Sequence, residues 1–280
     1  LKCCIYADNR IFYIKFELTS ENYYSDIANY EYMSVSQFKD FAGTYGKMGC
    51  EECAMAKIQG KFREPNRTAL LEGSYVDAFY EGTLDKFKEE HPEMFTQKGE
   101  LRSNFAKAER AIARSMRDPL FQEYMSGEKQ VIMTGELFGA KWKIKMDSYH
   151  PGKAIVDLKY MQSLTKFGYV PDIGYLDFVR YWGYDVQGAI YQEIVRQNTG
   201  KKLPFYIAGI SKEEAIDIEV IYIHDNYLQE ALRRVETCMP RILEVKSGKA
   251  KPERCEQCLW CRDTKILRGA IGIGDLTASL

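Results

Sequence analysis

The stretch that decides the fold covers residues 127–160 and reads GEKQVIMTGELFGAKWKIKMDSYHPGKAIVDLKY. Three runs within it are apolar or alternate between apolar and polar residues, which predicts three β-strands. These runs are residues 130–134, 141–146 and 154–159. Between them, residues 135–139 and 150–152 carry the glycine and proline typical of turns. The stretch therefore predicts an antiparallel meander.

The last strand of the meander carries a pattern that suits metal-assisted chemistry. Side chains alternate across a strand, so Asp157 and Lys159 share one face, and Asp147 lies one hairpin away. Two carboxylates and a lysine at adjacent strand ends suit a hard divalent cation and an activated water. Lys159 would hold or deprotonate that water, or offset charge in the transition state. The alternative for an isolated Asp-x-Lys is an exposed ion pair of little energetic weight.

The spacing Asp147-x9-Asp157-Leu158-Lys159 resembles the PD-(D/E)XK nuclease motif, with aspartate as the second acid. Glu128, just before the meander, resembles the extra acid of the RecB-like branch of that superfamily.

Two residues of the next predicted helix extend the resemblance. Gln187 and Tyr191 look like the Q-x3-Y motif that the RecB-like branch carries after its nuclease strands. The order of these motifs resembles that of the phage RecE-type exodeoxyribonucleases, over about residues 32–261. The resemblance implies that Asp147, Asp157, Lys159, Glu128, Gln187 and Tyr191 are catalytic.

This family resemblance implies an α/β fold with a restriction-endonuclease-like core, a central mixed β-sheet flanked by helices. It also implies a metal-dependent DNA exonuclease that acts on linear duplex ends in phage-type recombination. A single-strand annealing protein would be a partner, and the protein would form a homo-oligomer. The cation would be Mg²⁺ or Mn²⁺. Its expected ligands are Asp147, Asp157, Leu158, Glu128 and Asp77.

The role of Asp77 stays open at this point. Many nucleases of the RecB-like branch have a histidine four residues after a glycine such as Gly73, where this chain has Asp77. Aspartate also binds Mg²⁺, directly or through water. The alternative is an exposed helical aspartate.

Composition bounds the classes of protein that remain. The 280 residues carry a net charge of −1, so a nucleic-acid enzyme needs a local basic groove. Lys141, Lys143 and Lys145, on one face of the middle strand, are the candidate. No apolar run reaches the roughly 18 residues of a membrane span, so no membrane partner is expected. Eight cysteines without a disulfide pattern indicate a reducing cytoplasm.

Capping residues and amphipathic periodicity predict the remaining elements. The expected helices cover residues 34–41, 68–80, 102–117, 177–197 and 225–245. Residues 204–210 and 216–223 predict strands that extend the same sheet, and residues 161–172 a loop. We divide the chain into an unassigned N-terminal extension (1–31), the nuclease domain with its cysteine cluster (32–262) and a tail (263–280).

A second cluster is formed by Cys255, Cys258 and Cys261 in a C-x2-C-x2-C run. Three thiolates this close can face one metal centre, and a fourth ligand must come from elsewhere. The resemblance to the iron–sulfur members of the RecB-like nucleases implies Cys50 as that fourth ligand, with Cys53 as the alternative. It implies a [4Fe-4S] cluster. Zinc stays open because the spacing departs from the commoner family form, and spare thiols in a tail are the remaining interpretation.

Two other functions remain compatible with the sequence. A four-cysteine CRISPR-associated-type nuclease would act on single-stranded ends. A non-catalytic DNA-binding module would require that Asp147, Asp157 and Lys159 do not converge. No histidine lies in a nucleophilic serine or cysteine motif, so a hydrolase triad has no support.

Overall fold

The computed structural model of the chain describes residues 4–7, 10–13, 16–65, 68–267 and 269–274, the first two ranges by their backbone alone. The strands are β1 (Cys4–Ala7), β2 (Arg10–Tyr13), β3 (Val131–Leu137), β4 (Ala140–Met146), β5 (Ser148–His150), β6 (Ala154–Met161), β7 (Gly168–Val170), β8 (Gly174–Leu176), β9 (Phe205–Ser211) and β10 (Ile218–Ile223).

The helices begin at α1, which precedes the predicted domain. They are α1 (Asp26–Glu31), α2 (Val35–Ala42), α3 (Glu51–Ile58), α4 (Thr68–Glu81), α5 (Leu84–Glu90), α6 (Ser103–Ser115), α7 (Pro119–Tyr124), α8 (Phe178–Tyr181), α9 (Tyr184–Thr199), α10 (Asp225–Lys246) and α11 (Leu259–Asp263). A 3-10 turn covers Pro92–Met94. None of the helices in the described part of the chain combines the length and apolar composition that a membrane crossing requires.

A four-stranded sheet with the order β10-β9-β6-β5 forms the centre of the fold. β6 and β9 pair in parallel, whereas the two outer pairs are antiparallel. A parallel pair needs a crossover connection, which the segment containing α8 and α9 provides. The prediction of an α/β core with a central mixed sheet and flanking helices is therefore confirmed, as is the membership of β9 and β10.

Alternation along β6 separates two hydrophobic cores. Ile155 packs with α2, α9 and α10 on one face of the sheet. Val156 and Leu158 pack with α4, α6 and α7 on the other. Asp157 and Lys159 belong by alternation to the same face as Ile155, toward α9. They are therefore on the opposite side of β6 from Val156 and Leu158, as predicted.

The predicted single meander is wrong in two respects. First, β3 and β4 form their own two-stranded sheet, and only β5 and β6 join the central one. Second, the turn lies at Phe138 and Gly139, which have φ values of 49° and 79°, as a two-residue hairpin turn of this type requires. Gly135 instead lies in the middle of β3. Glycine suits this position because a Cβ there would lie 2.5 Å from Oε1 of Gln197 on α9.

Two other segments also differ from prediction. The helix expected over residues 177–197 is divided into α8 and α9 by Gly183, whose φ of 65° lies in the left-handed region that ends a right-handed helix. The loop expected over residues 161–172 contains β7, which pairs with β8 in a short antiparallel hairpin. Glycine and tyrosine dominate that hairpin, so it shows little of the apolar alternation that marks a strand.

The predicted basic groove on β4 is covered at its central lysine. Lys143 is 2% exposed, and its amine donates hydrogen bonds to the carbonyl oxygen of Tyr23 and to Oδ1 of Asn29. Burial, and then the like charge of Lys246, lower the pKa of Lys143 to about 8. A segment before α2 therefore covers Lys143, and Lys143 holds that segment against β4, whereas Lys141 is exposed and Lys145 is half-buried.

We expect Lys143→Met to lower the free energy of unfolding by about 1–3 kcal/mol, because a buried carbonyl oxygen and a half-buried amide oxygen lose their donor. Chemical denaturation measures this loss. Lys141→Met is the matched control, since Lys141 is exposed on the same strand. Equal stability of the two variants would show that Lys143 does not hold the segment before α2 against β4.

Candidate active site

Asp147 lies between β4 and β5, where the chain leaves the hairpin sheet and enters the central one. Its Oδ2 accepts a hydrogen bond of 2.9 Å from the backbone N–H of Leu158 on β6. The β5–β6 register pairs Ser148 with Val156, so its continuation would place Met146 opposite Leu158. β4 belongs to the hairpin sheet and not to the central one, so it does not pair with Leu158. The Asp147 carboxylate therefore accepts the hydrogen bond from a backbone N–H that would otherwise have no partner on a neighbouring strand.

Asp157 is 2% exposed and has two side-chain partners. Its Oδ2 forms an ion pair with Nζ of Lys159, and its Oδ1 accepts a hydrogen bond of 2.6 Å from Nε2 of Gln187 on α9. The alternation of β6 and the helix that follows it thus bring three residues of the predicted site into direct contact. Tyr191, one turn further along α9, donates a hydrogen bond of 3.0 Å from its hydroxyl to the carbonyl oxygen of Lys145.

These residues line a single cavity of about 760 Å³. Asp77 of α4 also lines it, so the alternative of an exposed helical aspartate does not hold. The predicted site residues that line the cavity are Asp77, Asp147, Asp157, Leu158, Lys159, Gln187 and Tyr191. The structure therefore brings together every predicted residue of this site except Glu128.

Glu128 lies elsewhere. Its backbone forms an isolated antiparallel bridge with Tyr149, its side chain is exposed, and it is not among the residues that line the cavity. The expectation that Glu128 lies at the edge of the site is therefore wrong in this structure. Asp77, from a different element, supplies the third carboxylate.

Three carboxylates of the cavity, those of Asp77, Asp147 and Asp157, are buried or half-buried near one another. Burial, followed by the charges of Asp157 and Asp77, raises the pKa of Asp147 well above its usual range. Burial, partly offset by Lys159 and reinforced by Asp157, raises the pKa of Asp77 to about 7. Carboxylates that destabilise one another in this way are an environment that a divalent cation would relieve.

Lys159 experiences opposing influences. Burial lowers the pKa of Lys159, but the charges of Asp157, Tyr184 and Asp147 raise it by more, so its pKa lies above the ordinary value. Its Nζ also donates a hydrogen bond of 3.2 Å to the carbonyl oxygen of Leu158. The side chain is therefore a fixed positive charge inside the carboxylate group.

Four further residues that line the cavity, one lysine and three tyrosines, are not among the predicted site residues. Lys39 of α2 is one; burial, and then Lys159, lower its pKa to about 7. Its Nζ lies 4.9 Å from the centroid of the Tyr184 ring, and Nζ of Lys159 lies 5.1 Å from the same centroid. Tyr23 and Tyr24 are the others. Tyr184 shares the α9 face of Gln187, whereas the sequence contains no signal for the rest.

The predicted cysteine cluster also forms. Among the residues that the structure describes, Cys50, Cys255, Cys258 and Cys261 are the one group of three or more candidate ligands whose binding atoms all lie within 4.8 Å of one another. Sγ of Cys50 lies 3.5 Å from Sγ of Cys261. The prediction that Cys50 meets the C-terminal trio is confirmed, and four thiols so arranged could hold a metal centre.

Cys53 lies beside this group without belonging to it. It occupies the first turn of α3, while Cys50 is the N-cap residue of that helix. An ion pair between Glu51 and Arg241 of α10, with an N–O distance of 2.7 Å, holds the start of α3 against the C-terminal region. The four thiols thus join the two ends of the domain.

Comparison with known proteins agrees with this geometry. Residues 34–264 match the model of a family described as a PDDEXK-like domain of unknown function (DUF3799). The chain belongs to this PDDEXK-like family.

The PDDEXK-like chain is also similar to a protein of known structure. A crystal structure from Eubacterium rectale, of a protein described as a candidate exonuclease, is 65% identical in sequence with a TM-score of 0.93. The match covers 95% of this chain and 100% of that one. No curated protein matches the chain at significant similarity.

Proposed function

We propose that this protein is a metal-dependent deoxyribonuclease that hydrolyses phosphodiester bonds from the ends of duplex DNA. The observation that carries the proposal is the setting of Asp157, whose carboxylate contacts Lys159 and Gln187 in a cavity also lined by Asp147 and Asp77. Membership of the PDDEXK-like family and the description of the Eubacterium rectale protein support it.

The residues present fit a divalent cation. Asp147, Asp157, Asp77 and the carbonyl oxygen of Leu158 would hold Mg²⁺ or Mn²⁺, with water and substrate phosphate completing an oxygen shell. Glu128 is not in this set because it lies outside the cavity. When bound, such a cation activates water and offsets the negative charge of a phosphodiester.

The chain's own residues would act by charge and position. Lys159 forms an ion pair with Asp157, so it would stabilise negative charge on the phosphate. Gln187 orients Asp157 by donating to Oδ1. Tyr191 ties α9 to β4 through the carbonyl oxygen of Lys145. Both α9 residues would therefore position the reacting groups.

The decisive experiment compares end-labelled linear duplex, the same duplex as a closed circle, and single strands, each with and without Mg²⁺. We expect Mg²⁺-dependent shortening of the linear duplex and an intact circle. Cleavage of the circle would indicate an endonuclease. Absence of cleavage with both Mg²⁺ and Mn²⁺ would overturn the proposal.

We expect Lys159→Ala to lower kcat by roughly 10²–10³-fold while the Kd for DNA changes little, because a charge that acts at the transition state adds little to ground-state binding. Single-turnover cleavage and equilibrium binding measure the two quantities. Lys202→Ala is the control, since Lys202 forms an exposed pair with Asp225 and does not line the cavity. A loss confined to Kd would contradict the assigned role.

One observation favours a second candidate. The four-thiol group of Cys50 with the C-terminal trio is the arrangement expected of the four-cysteine CRISPR-associated-type nucleases, which would act on single-stranded ends. A clear preference for single strands in the cleavage assay would select this function. A non-catalytic DNA-binding module is disfavoured, because Asp147, Asp157 and Lys159 line one cavity.

The resemblance to RecE-type enzymes extends the proposal to phage-type recombination. The single strand left by digestion would pass to a strand-annealing protein, and the enzyme would work as a homo-oligomer. The cysteine group would hold a [4Fe-4S] cluster, with zinc as the alternative. Light scattering during size-exclusion chromatography tests the oligomer, and a monomer at all concentrations would remove that part of the proposal.

A further inference from the structure

The mouth of the cavity is lined by side chains from outside the matched domain. Tyr23, Tyr24 and Asn29 precede residue 34, where the family match begins, yet all three line the cavity. Tyr24 keeps 69% of its surface exposed. An exposed aromatic ring beside a cavity that would bind a phosphodiester is a surface on which a nucleobase can stack.

The ring of Tyr24 is held in place by its neighbours. Tyr23 packs edge-on against it, with ring centroids 5.0 Å apart. Nζ of Lys145 lies 4.8 Å from the Tyr24 centroid, which places an ammonium near the ring. The backbone of this segment is fixed to β4, since Lys143 bonds to the Tyr23 carbonyl and to Asn29. Tyr24 is thus preorganised, with most of its surface open.

The chain segments that carry Lys145 and Leu70 also carry two of the carboxylates. Lys145 and Asp147 are two residues apart on an extended chain, which is about 7 Å. On the α4 wall of the cavity, Leu70 and Asp77 share a helix face and lie about 10 Å apart along the axis. Leu70 is 60% exposed and also lines the mouth. A stacked nucleotide rises about 3.4 Å and an unstacked one spans more, so these separations correspond to about one to three nucleotides.

We propose that Tyr24 stacks on an unpaired base of the DNA strand entering the cavity, about one to three nucleotides from the bond to be hydrolysed. Lys145 contacts the adjoining phosphate, and Leu70 provides an apolar contact for the same nucleotide. The inference rests on the proposed nuclease function and adds a requirement on the substrate. A base inside a duplex is stacked on both faces, so the entering end has to be single-stranded over this distance.

Position-resolved fluorescence tests the stack. A duplex with a single-stranded overhang carries 2-aminopurine at successive positions from its end, and it is mixed with the protein in Ca²⁺ so that binding is measured without turnover. We expect fluorescence quenching at one position, retained in Tyr24→Phe and lost in Tyr24→Ala. Tyr30→Ala is the matched control, because Tyr30 is 59% exposed on α1 but does not line this cavity.

A double-mutant cycle then separates stacking from indirect effects. Tyr24→Ala should weaken binding of the overhang DNA about tenfold, within the range for loss of one base–aromatic stack. Replacing the quenched nucleotide by an abasic site should weaken binding to the parent by a similar factor. The same abasic site should leave binding to Tyr24→Ala unchanged.

The outcomes divide clearly. The stack would be overturned if the abasic site weakened DNA binding equally in the parent and in Tyr24→Ala, or if quenching were equal in the two proteins. The nuclease proposal would still stand if the parent cleaves DNA. Quenching that depends on Tyr24 in a fully paired blunt duplex would overturn the single-strand requirement. A parent that binds no DNA would overturn both proposals together.

Discussion

Purified Asp157→Ala is expected to lose cleavage of linear duplex DNA by roughly 10³-fold or more, which exceeds the loss for a single transition-state donor. The Asp157 carboxylate contacts both Lys159 and Gln187, so its removal would take away a proposed cation ligand and the partner that fixes both side chains. Rate measurements with excess enzyme over end-labelled duplex give the loss directly, without a contribution from product release.

Asp157→Asn separates this effect from a loss of fold. Asparagine keeps the shape and can still accept the Gln187 hydrogen bond, but it lacks the charge that holds a cation and Lys159. We expect both variants to retain the circular dichroism of the parent and to lose the rise in unfolding temperature that Mg²⁺ gives the parent. Degradation of duplex at the parent rate by either variant would show that this cavity is not the active site.

Cys50→Ser is expected to remove the metal centre and to lower the free energy of unfolding by several kcal/mol. A structural zinc contributes about 10–16 kcal/mol of binding free energy in peptides, and a hydroxyl is a poor substitute for a thiolate. The link joins thiols 211 positions apart, so it also restricts the unfolded chain. Iron and zinc analysis of anaerobically purified protein, together with denaturation curves, measures both effects.

Cys53→Ser is the matched control for Cys50→Ser, because Cys53 is a buried thiol on the same helix outside the four-thiol group. We expect it to keep full metal content. A cluster of iron and sulfur would make the parent brown, whereas zinc would leave it colourless. Metal content that is equal in Cys50→Ser and the parent, or absent from both, would remove the assignment.

The sequence predicted the central part of this site well because its signals are local or ordered along the chain. Alternation along β6 placed Asp157 and Lys159 on one face, away from Val156 and Leu158, and the structure has that division. The motif order added Gln187, whose amide meets Asp157. These inferences depend on the periodicity with which side chains repeat along a strand or a helix, which is a property of the local backbone.

What the sequence could not supply depends on how distant segments pack. The alternation of Lys141, Lys143 and Lys145 is real, yet residues before α2 bury Lys143, and no pattern in β4 predicts the covering segment. Lys39 and Tyr24 reach the cavity for the same reason. The sequence predicts Gly135 in a turn, but it lies within β3. A glycine required for the close approach of another side chain, here Gln197, looks the same in sequence as a glycine required for a positive φ angle.

The position of the four thiols along the chain fixes the order in which the domain can be completed during synthesis. Cys50 precedes Cys261 by 211 residues. At about 5–20 residues per second, the ribosome needs roughly 10–40 s to add them. Until Cys255 is added, Cys50 has none of its three partners, although the strands that carry Asp147 and Asp157 are complete well before that point. The cavity with the three carboxylates can therefore form before the thiol group, and oxidation of the nascent Cys50 would prevent only the assembly of the thiol group.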